Sequence, residues 1–238
     1  MENDTNHVRA DAFSSLYGDD SLLEIPEDAF VERMVSDPEY PKQISRLILP
    51  QLQPHFLFNV FSVIYYMCGK NTAEAKSMIN DASTFLREDM GALLDPRPVP
   101  FEQELSHCRL YLRFEQMRFP DKFRMEYDLA ALDFRLPPLT LQPLVENAIR
   151  HGLCPLPGGG VVRVESAAEP DAYVVRVIDN GVGFDSSALT ADSCGRNNLS
   201  LGVIRTRLRT LCGGELTVRS ICGEGTICEI RIPKEASK

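Results

Sequence analysis

The apolar residues of this chain change their period once, and the change divides it into two kinds of structure. From Lys42 to about Phe119 they recur every three or four positions, the spacing of a helix face. Beyond Phe123 they come as short β-branched runs between turn residues, the pattern of strands. Leu49, Leu52, Phe56, Val60, Val63 and Met67 form the first helical seam. A stripe of Gln51, His55, Asn59, Ser62 and Tyr66 runs beside it. Asn71 followed by Glu74 reads as the N-cap of a second helix. That helix would bury Ala75, Met78, Ile79, Ala82, Phe85, Leu86, Met90 and Leu93, and "DPRPVP" (Asp95–Pro100) would end it. One hairpin of this kind buries little by itself. A second copy would complete a four-helix bundle, so a homodimer is expected.

A third amphipathic helix is predicted over Phe101–Phe119. "FRMEYDL" (Phe123–Leu129), "GGGVVRVESA" and "AYVVRVID" read as strands, and "PLTLQPLVENAIRHGL" (Pro138–Leu153) as a helix. "ELTVRSI" and "TICEIRI" read as a hairpin closed around "CGEGT". The order predicts an α+β chain: a helical hairpin over 43–96, then an α/β sandwich over 97–238. Residues 1–42 are acidic and irregular, with a short helical stretch around Ala29–Val35, and read as a tail or small cap.

Charge narrows the function classes. The formal net charge is −9, which leaves no basic surplus for non-specific nucleic-acid binding, so no nucleic-acid partner is expected. It leaves room for a small basic pocket. The seven cysteines show no CxxC or paired metal spacing and read as reduced thiols, although Cys222 and Cys228 flank a turn. No apolar run is long enough to span a bilayer, and no signal peptide is present. The expected compartment is the cytoplasm. Peripheral association with a membrane sensor, and membership of a longer sensor chain, both stay open.

Three short motifs carry chemistry: Glu146-Asn147 followed by Arg150-His151 on a helix, Asp179-Asn180-Gly181-Val182-Gly183 after a strand, and Gly223-Glu224-Gly225-Thr226 in a turn. Alone, each has an ordinary explanation: a surface asparagine, a tight turn, a hairpin tip. Together and in this order they resemble the N, G1 and G3 boxes of the GHKL ATPase superfamily. "QPHFLFN" (Gln53–Asn59) narrows the resemblance to the LytS-type sensor histidine kinases, and the likeness continues through "FEQELSHCRLYLRFEQMRF" and "LTLQPLVENAIRHG". It covers Ile44 to Pro233.

The resemblance implies a GHKL (Bergerat) fold, an ATP-dependent protein-histidine kinase of a two-component system, ATP and Mg²⁺ as cofactors, and a response-regulator receiver domain as partner. His55 would be the phosphoacceptor. Asn147 would hold Mg²⁺ through its amide oxygen, the kind of ligand that Mg²⁺ prefers. Asp179 would accept from the adenine amine. Gly181 and Gly183 would let the backbone approach the nucleotide, and Gly223, Gly225 and Thr226 would complete the base end. Arg150 and His151 would meet phosphate, or else form a solvated helix end.

Two departures bear on activity. The lid is usually glycine-rich, but here it reads "NLSLGV" (Asn198–Val203), followed by Arg205 and Arg207. Ser200, Leu201 and Gly202 are the lid residues expected at the phosphates. Asn198 and Ser200 stand in the usual glycine places, so glycine there is expected to speed the reaction. The second departure is Ser62, where the phosphoacceptor motif usually has a second asparagine; within the matching motif, Pro54, four residues after Pro50, predicts either a helix bent just before His55 or a helix that restarts there. A degenerate lid leaves a nucleotide-binding pseudokinase as one alternative. A GHKL ATPase with Glu146 as general base is another.

Overall fold

The computed structural model describes residues 54–184 and 196–234, with side chains other than those of residues 54, 55, 93, 94 and 196–200. The chain forms two compact units, Met1–Pro96 and Arg97–Lys238.

In the first unit, α1 (Pro54–Cys68) and α2 (Thr72–Leu94) form a hairpin. Asn71 caps α2 as its sequence position predicts: its side-chain oxygen accepts from the Glu74 N–H at 3.1 Å. Phe56, Val60 and Ile64 face inward at spacings of four and meet Ala75, Met78, Ala82 and Phe85. The Phe56 and Phe85 rings lie 5.0 Å apart. Two expectations need correction. Val63 and Met67 are only half-buried, and Ile64 takes the inner place, so the buried row of α1 follows the inclined i, i+4 ridge of the helix. Ile79 is exposed. The outer face of α1 is apolar too: Phe58, Phe61, Tyr65 and Tyr66 are all exposed, Tyr65 by 84%. Pro54 is the first described residue of α1. The bend before His55, the seam at Leu49 and Leu52, and the tail with its helix at Ala29–Val35 lie outside the described residues.

The second unit is a two-layer sandwich. After the two-residue strand β1 (Val99–Pro100) come α3 (Phe101–Arg118), β2 (Phe123–Leu129), β3 (Arg135–Leu136) and α4 (Leu141–Asn147). A π-helical turn over Ala148–Leu153 continues α4. Then follow β4 (Gly160–Ala168), β5 (Ala172–Asp179), α5 (Arg196–Cys212), β6 (Glu215–Ile221) and β7 (Gly225–Pro233). The main sheet has the order β2-β4-β5-β7-β6, with β2 parallel to β4 and the other pairs antiparallel. β1 and β3 pair in a separate ribbon that the sequence pattern did not predict.

The two sheet faces differ as their alternation demands. One face carries a ladder of ion pairs, such as Arg163–Glu126 (2.9 Å), Arg176–Glu229 (2.6 Å) and Arg231–Glu169 (2.8 Å). The other buries Val162, Val164, Val175, Val177, Ile230 and Ile232 with helical residues Tyr111, Leu144, Ile149 and Leu208. Burial of each such side chain is worth about 1.5–3 kcal/mol. No described helix is long and apolar enough to cross a membrane. The six described cysteines are all free, Cys222 and Cys228 among them.

Candidate active site

Strand register assembles the site. On the inward face Asp179 ends β5 and pairs with Thr226 at the start of β7, which flanks Ser220 of β6. One row deeper, Val177, Cys228 and Val218 lie side by side on the same strands. The deeper row floors an apolar slot, and the outer row supplies its polar end. Leu144, Asn147, Ala148 and His151 of α4 and the π-helical turn form one wall, with Phe184 and Leu201 among the remaining lining residues. The slot encloses about 810 Å³, its open mouth included.

Asp179 is the only carboxylate among the described residues that line this slot. It is 6% exposed, and its Oδ1 accepts from the Gly181 N–H at 2.9 Å. Burial pushes its pKa up, and the N–H groups of Gly181 and Thr226 pull against that shift. A buried carboxylate beside an apolar slot suits a flat aromatic ring carrying an amino group, which returns a donor to the carboxylate. The neighbouring Cys228 thiol is pushed up to about 12, chiefly by burial and then by Asp179, so it stays protonated. His151 stands at the exposed rim. Its pKa is lowered by partial burial and by the Arg150 charge, which favours the neutral ring.

Three of the glycines are required by the protein's own packing as well. A Cβ on Gly181 would collide with the backbone of Gly152 in the π-helical turn. Gly183 (φ 57°) lies against the Ile221 carbonyl, and Gly225 (φ 108°) against the Asp179 carbonyl. They let three protein segments touch, a use that the sequence alone did not show. The loop is pinned from both sides: Val182 N–H donates to Gly152 O (2.9 Å), and Gly223 N–H donates to Val182 O (2.7 Å). Of the four, only Gly183 lines the slot. Gly152 was absent from the expected set, although a Cβ there would sit 2.6 Å from Asp179 Oδ1.

The expected residues therefore separate into groups. Asn147, His151, Asp179, Gly183, Leu201 and Thr226 share the slot. Glu146 is turned away, 6% exposed, with its Oε1 2.8 Å from Arg150 Nη1. Ser200, like Asn198, lies in the first turns of α5, and Gly202 follows on the same helix with open space where a Cβ would go. The lid segment from Arg196 onward thus runs as helix, the conformation of Asn198 and Ser200 alike. Arg207 is buried, and Arg205 Nε points to Leu216 O at 3.4 Å. His55 is the second described residue of α1, and its side chain lies outside the description. Sequence reasoning missed Leu144, Val177, Val218 and Cys228. Stepping two residues along each strand from Asp179 and Thr226 finds two of these, Val177 and Cys228.

Two family models match the chain: a histidine kinase model over residues 45–123, and a histidine kinase-, DNA gyrase B-, and HSP90-like ATPase model over residues 137–236. The sensor protein LytS of Oceanobacillus iheyensis is 34% identical over 146 residues, 60% of this chain and 25% of that protein. LytS of Streptococcus agalactiae is 36% identical over 140 residues, 58% of this chain and 24% of that protein. The sensor histidine kinase YpdA of Escherichia coli is 32% identical over 194 residues, 80% of this chain and 34% of that protein. The chain spans about a quarter to a third of the length of these relatives. Matched in its helical region and then in its ATPase-like domain, the chain belongs to the LytS-type histidine kinase family.

Proposed function

We propose that this chain is an ATP-dependent protein-histidine kinase that phosphorylates its own His55 and passes the phosphoryl group to a receiver-domain aspartate. The observation that carries this reading is the buried Asp179 carboxylate at the end of an apolar slot, with Asn147 on the slot wall. Adenine would lie over Val177 and Cys228 and donate its amine to Asp179. The phosphates would leave toward Asn147 and the start of α5.

Mg²⁺, when bound at Asn147, would offset the charge of the phosphates. The donors fit: Asn147 offers an amide oxygen, and among the described residues no cluster of acidic, His or Cys side chains forms a metal cage of its own. A cation held largely by phosphate oxygens and water is the usual Mg²⁺ arrangement. In the transfer, a neutral His55 ring nitrogen attacks the γ-phosphorus. A P–N bond forms, the bond to the β-phosphate oxygen breaks, ADP leaves, and the ring proton goes to solvent.

Glu146 counts against the ATPase reading, since its carboxylate is tied to Arg150 and lies outside the slot. We assign the exposed aromatic face of α1 to a homodimer. A receiver-domain partner and a cytoplasmic site of action go with the phosphotransfer reading. Incubation with γ-labelled ATP and Mg²⁺ tests the core of the proposal. The wild type should acquire acid-labile, alkali-stable phosphate, and His55→Gln should acquire none while still binding nucleotide. Equal labelling of both proteins would refute His55 as acceptor, and free phosphate release without labelling would restore the ATPase.

A further inference from the structure

We infer that Glu104 is a positioning residue that sets where Asn147 stands in the nucleotide slot, an inference that rests on the kinase reading above. Glu104 lies in the first turn of α3 and is 3% exposed. Its Oε1 accepts from the Leu139 N–H at 2.8 Å. Its Oε2 accepts from the N–H groups of Thr140 (2.9 Å) and Leu141 (3.0 Å). Leu141 is the first residue of α4, so these are the donors a helix leaves unpaired at its start. Thr140 does not cap the helix itself, because its hydroxyl donates to Pro137 O at 2.6 Å. The cap is thus borrowed from another helix, as a buried anion at the positive end of the α4 dipole.

The turn it holds is one the chain would not choose. Leu139 has φ 54°, the only positive φ of a non-glycine among the described residues. A leucine resists that conformation. The carboxylate bonds the N–H on Leu139 and on both residues after it, and so fixes the direction in which α4 leaves. α4 has seven residues. Asn147 therefore lies about 9 Å along the axis from Leu141, close enough for the start to set the end. Asp179 belongs to a strand and does not depend on this cap. The base end thus has a support of its own in β5 and β7, whereas Asn147 is carried by α4, and a change at Glu104 falls first on the metal end.

The test uses the full chain and a fluorescent ATP and ADP, each titrated with Mg²⁺ and with EDTA. Glu104→Gln keeps the shape but turns an NH₂ group toward the N–H row. ADP affinity in EDTA should be unchanged. The gain in ATP affinity on adding Mg²⁺ should fall about 10- to 100-fold, the cost of misplacing a ligand by about an ångström. Adding Leu139→Gly should restore most of that gain, since glycine takes the left-handed turn unaided. Unchanged Mg²⁺ gain in Glu104→Gln overturns the inference. So does equal loss of ADP and Mg-ATP binding, which marks a stabilising role alone. If the wild type shows no Mg²⁺ gain, the kinase reading fails, and hydrogen exchange then decides the positioning role. Faster exchange in Glu104→Gln that reaches from residues 139–141 to Asn147 and Gly152 sustains it, and faster exchange confined to 139–141 overturns it.

Discussion

Gly152→Ala is the sharpest probe of the slot, because helix propensity and local geometry predict opposite signs. Replacing a glycine by alanine in a helix ordinarily stabilises by about 0.5–1 kcal/mol. At Gly152 the new Cβ would lie 2.6 Å from Asp179 Oδ1 and 3.0 Å from its Cγ. The backbone cannot retreat. Gly152 O accepts from Val182 N–H, and Gly181 packs against the Gly152 main chain. The carboxylate has to rotate, and it then loses the 2.9 Å bond from Gly181 N–H. A hydrogen bond to a charged group is worth about 1.5–3 kcal/mol. If the same carboxylate holds the base, nucleotide affinity should fall roughly 10- to 150-fold at about 1.4 kcal/mol per tenfold. Thermal stability should fall as well. Gly91→Ala supplies the control, since nothing lies within 4 Å of its Cβ position in α2. It should be neutral or stabilising, with affinity unchanged. Titration with a fluorescent nucleotide and a thermal melt read both quantities. A Gly152→Ala protein that binds as well as the wild type and melts no lower would refute the steric reasoning.

Three further outcomes follow from named contacts. Asp179→Asn should weaken nucleotide binding by about 1.5–3 kcal/mol. Because burial raises the Asp179 pKa, this group favours folding at low pH, and that contribution is lost as pH rises from 3.8 through the raised value. Nucleotide binding needs the ionised form, so wild-type affinity should drop on acidification through that window while Asp179→Asn stays flat. Equal slopes in a pH titration would remove Asp179 from the base contact. Phe58→Glu with Tyr65→Glu should convert a dimer to a monomer in sedimentation without unfolding the hairpin, since both side chains are exposed. Val60→Glu should instead unfold the hairpin, because Val60 is buried within it, and a folded Val60→Glu monomer would place the interface there. Asn198→Gly with Ser200→Gly should loosen the first turns of α5 by about 0.3–0.5 kcal/mol per site and leave ATP preference over ADP unimproved. A faster labelling rate in that variant would bring back the glycine-lid expectation.

The parts of this protein that could be read from sequence are those fixed by neighbours in sequence. The α2 cap needed only Asn71 and Glu74, and the strands only their own alternation. The carboxylate at Asp179 was recognisable because three motifs in one order resemble the GHKL boxes, whereas its GxG neighbours alone would read as a tight turn. Reasons that depend on a distant segment did not show. That Gly181 and Gly183 also make room for Gly152 and for Ile221 shows only once the π-helical turn and β6 are placed against them. The same holds for Glu104, one of several glutamates on α3 until Leu139, 35 residues later, turns back onto it. Composition cannot distinguish a surface acid from a cap, since the difference lies in which N–H groups the fold brings near. Sequence could not fix the lid for a related reason. Glycine is needed in a lid where the backbone turns left-handed, and here the chain forms helix instead, a state that Asn198 and Ser200 adopt at less cost than glycine. The departure from the family's glycine pattern is therefore consistent with a lid built another way, as well as with a lost activity.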